Sequence, residues 1–204
     1  LKQIGFSYFR SSVLGVQLML GLLKHGEHFC YYIDSESPYF RLKIEMNTQG
    51  LMRGMIYADN LNSSPDTITG QVRLIKFNPK AAMPYQSTIA LKDVGINEIL
   101  NQVLSQSYQV KSRIFVSEQS DQSFMLHQLP LSPNEDSLDM NKAFSNYIDP
   151  VKKIMSKGLT DQLSIINEFK DNKFKFLASQ PVEFNCGCSR EQMIDNLKKF
   201  AASH

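Results

Sequence analysis

An α+β fold is predicted, with an antiparallel sheet as the body and helices packed beside it. Three features of the sequence predict it. Phe40-Arg41-Leu42-Lys43-Ile44-Glu45-Met46 alternates apolar and polar residues without a fault, the mark of a strand with one face in a core and one in water. The strand candidates around it are separated by turn-length segments, too short for the crossover helix that parallel pairing needs. Helical spacing of apolar residues in the first half is confined to Ile4–Leu23 and Gly95–Ser107, which sets helices beside a sheet rather than between its strands.

The elements follow in order. Phe6, Phe9, Val13, Val16, Leu20 and Leu23 recur at spacings of three and four, and His25-Gly26 ends the helix they define. Gly15 and Gly21 weaken that helix but allow close packing against a sheet. Phe29–Ile33 is a strand and Asp34–Pro38 a turn. Phe40–Met46 and Leu51–Ala58 are the next strands, joined by Asn47–Gly50. A polar loop, Asn60–Asp66, precedes strands at Gln71–Phe77 and Tyr85–Leu91. The second helix carries Ile96, Ile99, Leu100, Val103 and Leu104 on one side. Strands Lys111–Ser117 and Phe124–Leu129 then flank a hairpin at Glu118–Gln122, and Pro130 and Pro133 close the sheet region.

Beyond Pro133 the character changes. Leu138–Lys157 is predicted helical, with a break at Pro150; Thr160 caps a short helix carrying Leu163, Ile166 and Phe169; Lys173–Leu177 suggests a small strand. The expected organisation is a body over 1–133, its amino-terminal part missing, since the chain opens on Leu1. A helical linker subdomain over 134–180, less deeply buried, and a cysteine-bearing segment over 181–204 follow.

Composition bounds the function. The chain has 204 residues, a net charge of +2, 42% hydrophobic and 21% charged residues, an ordinary balance for a folded domain able to bury a sizeable core. Lys and Arg are scattered, so no basic run is present to neutralise a phosphate backbone, and nucleic acid is not an expected partner. The longest apolar stretch, Val13–Leu23, falls short of the ~20 residues that span a bilayer, and it has no small-residue cleavage motif after it. Three cysteines, two of them at 186 and 188, are no secreted disulfide framework; a reducing cytoplasm is expected.

Cys186-Gly187-Cys188 is the sharpest local feature. Thiolates are soft ligands suited to zinc, and a glycine between two of them lets the backbone fold so that both meet one ion. Ser189 reads as a helix N-cap with Gln192 three residues on, and a helix start there favours thiolate. A C-x-C alone fits equally two small cysteines near a helix start. Cys30 reads as a core residue, and His25, His28, His127 and His204 have no ligand spacing near the pair. Asp34, Glu36, Asp59 and Asp66 fall in turns, where carboxylates cap backbone groups. Arg53, before Gly54, reads as an outward strand arginine beside a glycine required by close backbone approach. No nucleophile elbow, P-loop, zinc-protease helix or dinucleotide fingerprint occurs, and the expected class is not an enzyme.

The decapeptide Val182-Glu183-Phe184-Asn185-Cys186-Gly187-Cys188-Ser189-Arg190-Glu191 resembles the V-E-F-x-C-x-C-S-R-E segment of the thirty-three-kilodalton heat-shock chaperonin family. Leu51-Met52-Arg53-Gly54 is similar to that family's Q-M-R-G strand entry. The Tyr85–Leu91 strand, the Ile96–Leu104 helix and Arg113-Ile114-Phe115-Val116 follow its order of elements. The resemblance implies a chaperone that holds unfolding proteins without ATP. It implies that Cys186 and Cys188, with a later C-x-x-C, bind one zinc ion when reduced, and that oxidation forms disulfides, releases zinc and loosens the linker. Metal binding supplies folding free energy to a domain too small to fold alone, so removing the ligands removes the fold. It also implies unfolded client proteins as partners, a possible homodimer on activation, and Leu163, Ile166, Phe169, Phe174 and Phe176 as candidate apolar residues uncovered on activation. Two departures stand: no second cysteine pair occurs up to His204, for which a longer native protein is the expected reason, and Ser87 and Thr88 stand where the family often has glycine and valine. A thiol–disulfide oxidoreductase using the C-x-C pair is the alternative, opposed by the lack of a βαβ unit around it. A zinc-dependent nucleic-acid regulator is opposed by the weak charge.

Overall fold

The structure, a computed structural model, describes residues 3–58, 66–129 and 140–202. Most of the Asn60–Asp66 loop, the Pro130–Pro133 stretch and the first residues of the expected linker lie outside the described residues.

Helix α1 (Gln3–Val16) continues into a 3-10 stretch, Gln17–Leu22. Five strands then build the body: β1 (His28–Ser37), β2 (Tyr39–Asn47), β3 (Leu51–Tyr57), β4 (Thr67–Phe77) and β5 (Tyr85–Gly95). With the two-residue β8 (Glu183–Phe184) they form a six-stranded sheet in the order β5-β4-β1-β2-β3-β8. Every pair is antiparallel except β3 with β8. Alternation sorts the side chains: Phe29, Tyr31 and Ile33 of β1 join Phe40, Leu42, Ile44 and Met46 of β2 in the core, with Val72 and Leu74 of β4 beside them. Val16 and Met19 cover this face with Ile99, Leu100, Val103 and Leu104. The last four belong to a 3-10 turn (Ile96–Glu98), α2 (Ile99–Val103) and a π turn (Leu104–Tyr108). The predicted α+β class is the observed one.

The opposite face carries a lattice of charge. Asp34 pairs with Arg41 and Arg73, Glu45 pairs with Lys43 and Arg53, and the Tyr32 ring lies between Lys43 and Arg73 at 5.4 and 5.2 Å. This explains a difference from the sequence reading. Asp34–Ser37 is strand rather than turn, because its polar groups find cross-strand partners and the buried Ser35 hydroxyl donates to the Pro38 carbonyl at 2.5 Å.

Hairpin β6–β7 (Ser112–Val116, Ser123–His127) packs on α1, and Arg10 grips its tip through Asp121 and the Ser120 carbonyl. Helix α3 (Met140–Met155) lies on β7 through the buried Val151 and Ile154, and α4 (Gln162–Asp171) lies on α3. Pro150 does not break α3. Asn146, whose carbonyl loses its helical partner to the proline, is exposed, so water can satisfy that carbonyl. The cap of α4 is Asp161, which accepts from the Ser164 N–H at 2.8 Å, one residue beyond the expected Thr160. Lys173–Leu177 forms no strand; Lys173 sits at φ 68°, which turns the chain back so that Phe174 meets Phe169 edge-on. A Cβ on Gly15 would overlap Leu100 of α2, while Gly21 faces open space, so the expected packing of these glycines on the sheet is replaced by one helix–helix contact.

Candidate functional site

The thiol pair is brought to the sheet by its own flank. Glu183 N–H donates to Gly50 O and Asn185 N–H to Met52 O, both at 2.9 Å, which lays β8 along the start of β3. Gln180 Nε2 adds a bond to Thr48 O at 2.8 Å. Gly50, at φ 80°, makes the approach possible: a Cβ there would overlap the Pro181 carbonyl oxygen. Two residues of strand and one turn therefore position everything that follows.

Cys186 and Cys188 are both exposed and unbridged. Arg53 Nη1 donates to Cys188 Sγ at 3.0 Å, while its Nε donates to Glu45. Glu45 is held from its other side by Lys43 Nζ at 2.5 Å, and the buried Cys30 Sγ lies 4.0 Å from Glu45 Oε1. The Cys188 backbone N–H, then its side chain, then the Arg53 charge hold the Cys186 thiol below its ordinary value. Burial pushes Cys30 up, with the Glu45 charge adding to it, so this third thiol is the inert one. At Glu45 burial acts upward, but the hydrogen bonds from Lys43 and Arg53 outweigh it and the carboxyl sits below the usual range. A cleft of about 270 Å3 lies here, lined by Lys43, Glu45, Arg53, Met55, Phe184 and the two thiols among others. After the pair, Ser189 Oγ accepts from the Gln192 N–H at 3.1 Å and starts α5 (Arg190–Ala202), as the sequence predicted.

Arg53 is the residue that the sequence reading undervalued. Its strand does turn it outward, and Gly54 does sit close to its neighbours, 2.9 Å from the Lys43 carbonyl by an added Cβ. What a single strand could not show is a carboxylate opposite it at Glu45 and a thiol beyond it at Cys188. His28 is stacked on Phe77 at 4.8 Å and His127 bonds Ser112.

The five candidate client-binding residues divide. Ile166, Phe169, Phe174 and Phe176 line one cleft of about 540 Å3, with Tyr147 against Phe174 at 6.0 Å. Leu163 stands apart on α4, 72% exposed.

Two thiols beside a helix start suit a soft metal ion, so Cys186 and Cys188 could supply two of its donors. No group of three or more His, Cys, Asp or Glu that could hold a metal occurs among the described residues. Among them also, no helix is long and apolar enough to cross a membrane.

An α+β body with an exposed C-x-C segment clipped to the edge of its sheet is the class that fold and site define. The model of the Hsp33 protein family matches residues 6–204, and the chain belongs to that family. A 33 kDa chaperonin of Pseudomonas putida is 21% identical over 184 residues, covering 86% of this chain and 62% of the relative. One from Staphylococcus carnosus is 22% identical over 205 residues, covering 89% and 67%. The crystal structure of the 33 kDa chaperonin homolog of Thermotoga maritima has the same fold, with a TM-score of 0.67 at 16% identity over 97% of this chain and 73% of that one. The chain spans 62–64% of the length of the Pseudomonas and Ectopseudomonas relatives.

Proposed function

We propose that this chain is the body, linker and first thiol pair of an ATP-independent holdase, which binds unfolding proteins and is switched on by oxidation of Cys186 and Cys188. One observation supports this above the rest. The reactive pair sits on a segment held to the sheet by a two-residue strand, the Gln180 side chain and one arginine, within a stretch from Ser156 to Ala202 in which no described side chain is buried. Such a stretch has little apolar burial to hold it, so chemistry at the thiols can decide whether it stays folded.

In this reading 134–180 is the linker and 181–204 the start of the switch. Zinc, bound by Cys186 and Cys188 together with thiolates from outside this chain, would supply folding free energy to the switch. Peroxide would take two electrons and two protons from the Cys186 and Cys188 thiols, leaving one disulfide and water. The loosened linker would then present Ile166, Phe169, Phe174 and Phe176, with Leu163 already exposed, to clients in a reducing compartment such as the cytoplasm. Homodimerisation on activation belongs to the same proposal. An oxidoreductase reading is less well supported, since the pair follows a two-residue parallel strand on an antiparallel sheet rather than a βαβ unit.

The test is light scattering by a heat-unfolded client with the full-length protein. Peroxide-treated protein is expected to suppress aggregation near stoichiometric ratio and the reduced protein not to; equal activity before and after peroxide would refute the switch. Cys186→Ser is expected to abolish the response to oxidant. This 204-residue chain alone, with two thiol donors at the pair, is expected not to retain tightly bound zinc. One zinc per chain in a metal assay would contradict that.

A further inference from the structure

Alternate residues of the segment 184–188 line different clefts. Asn185 and Gly187 line one of about 280 Å3; Phe184, Cys186 and Cys188 line the other, of about 270 Å3. Glu45 and Arg53 line both, so this pair lies beneath the thiol segment. The two are cross-strand neighbours, Glu45 on β2 opposite Arg53 on β3, on the charged face of the sheet. Arg53 uses its two arms differently: Nε donates to Glu45, and Nη1 donates to Cys188 Sγ at 3.0 Å.

These two bonds differ in what they depend on. Glu45 keeps its acceptor oxygens whatever the thiols do, and Lys43, whose ammonium lies over the Tyr32 ring, fixes it from its other side. The guanidinium is therefore anchored on the sheet by one arm with the other aimed at the segment, a fork that a lysine lacks. The sulfur is the variable acceptor. As a thiolate, free or bound to a soft cation, it carries negative charge and keeps lone pairs for an N–H donor; outer donors of this kind tune metal–ligand bonds. A disulfide sulfur is neutral and a weak acceptor. The Glu183 and Asn185 amide bonds and the Gln180 bond to Thr48, which also tie the segment down, involve no sulfur.

We infer that Arg53 is the positioning residue through which the sheet responds to the redox state of the thiol pair: it holds Cys188 while the sulfur is charged and lets go when the disulfide forms. The inference rests on the holdase reading and adds the step from thiol chemistry to the docking of β8. Hydrogen peroxide takes two electrons from the pair. The S–S bond forms, the O–O bond breaks, and the two oxygens leave as two waters, taking up two protons from the thiols or, for thiolates, from solvent. Arg53 then keeps Glu45 and loses Cys188, and β8 stays on β3 only by its main-chain bonds and Gln180. Coupling of this kind is reciprocal. If charged sulfur favours the docked segment through Arg53 by some factor, docking on Arg53 favours the reduced, metal-holding pair by the same factor.

The experiment compares the full-length parent with Arg53→Gln, each reduced and zinc-loaded and each peroxide-oxidised. In the reduced state the Glu183 and Asn185 amides of the variant are expected to exchange about tenfold faster than the parent's, through loss of one charge-assisted hydrogen bond. After oxidation the two proteins are expected to exchange alike there, with β1 and β4 equally protected in all four samples. Competition with a chromophoric chelator is expected to show zinc held about tenfold more weakly by the variant. The parent gives a signature that needs no substitution. By nitrogen-15 NMR, the Arg53 Nη protons are expected to exchange slowly only in the reduced protein, while the Nε proton, on Glu45, stays slow in both states. Should the variant lose protection in β1 and β4, that signature alone decides. Amide exchange faster by the same factor in both states would assign Arg53 to the sheet alone and overturn the inference. So would undiminished zinc affinity, or Nη protons indifferent to peroxide. If those results came with peroxide-switched suppression of aggregation, the holdase reading would stand without the arginine latch. A latch that behaves as expected in a protein that never suppresses aggregation would keep the role of Arg53 and sink the holdase reading.

Discussion

Between Tyr8 and Ile154 the chain sinks a continuous set of apolar side chains; from Ser156 to Ala202 the described side chains are all exposed or half-exposed. The two regions have similar kinds of residue to work with. The carboxyl-terminal stretch has Leu163, Ile166, Phe169, Phe174, Phe176, Leu177, Phe184 and Leu197, enough for a small core, yet it spreads them along short helices and irregular chain. The body places its apolar residues at every second position of five long strands, and α1 and α2 close over them. At about 25 cal/mol per Å2 of buried apolar surface, the body gains far more from burial than the carboxyl-terminal stretch does. The difference teaches where control can be exerted: bonds at Gly50, Met52 and Arg53 hold the thiol segment to the sheet edge, while α4 rests on α3.

Substitutions sharpen that contrast. Phe40→Ala, at a fully buried position of β2, is expected to lower the unfolding free energy by about 3–5 kcal/mol in urea titrations. A loss below about 1 kcal/mol would mean the body is not the stable half. Gly50→Ala strikes the joint between the regions, since its Cβ would collide with the Pro181 carbonyl. It is expected to cost the fold about 1 kcal/mol or somewhat more through strain at positive φ, while the Glu183 and Asn185 amides lose their exchange protection. Retained protection there would show that β8 is held by something else.

Acid provides a smaller lever on the same joint. The Glu45 carboxyl titrates below its ordinary value of 4.5 in the folded protein, so its contribution is fully present above that value and lost as pH falls through the lower folded one. Glu45→Gln is thus expected to be less stable than the parent at pH 6 by no more than about 1 kcal/mol, the pair being partly solvated. That gap should close as pH falls below 4.5; a gap that widens in acid would reverse the assignment. The smallest effect is expected at Leu163→Ala, within about 0.5 kcal/mol, because the side chain is already in water.

The sequence makes the inner region the more legible of the two, for the same physical reason. Alternation at Phe40–Met46 and helical spacing at Phe9–Leu23 are imprinted by burial, and the strands and helix stand where the pattern put them. Asp34–Ser37 misled because polar residues in a strand look like a turn until Arg41, Arg73 and the Pro38 carbonyl are brought beside them. In the outer region little is buried, so little is imprinted: Pro150 was tolerated at a solvated carbonyl, the cap moved to Asp161, and Lys173–Leu177 followed Phe169 rather than a sheet. At the site, the cysteines and the Ser189 cap could be read from adjacent residues. Arg53 could not, since its partners Glu45 and Cys188 are far away in the chain; the similarity of Leu51–Gly54 to a family tetrapeptide was the one signal available.

Hydrogen exchange across the full-length protein, reduced and metal-loaded against peroxide-oxidised, would probe both regions at once. The expected result is fast exchange after oxidation over α4 and the Glu183–Asn185 amides, with β1, β2 and β4 as protected as before. Unchanged protection from Ser156 to Cys188, or a sheet that opens together with it, would contradict the division of the molecule into a self-sufficient body and a region governed by its thiols.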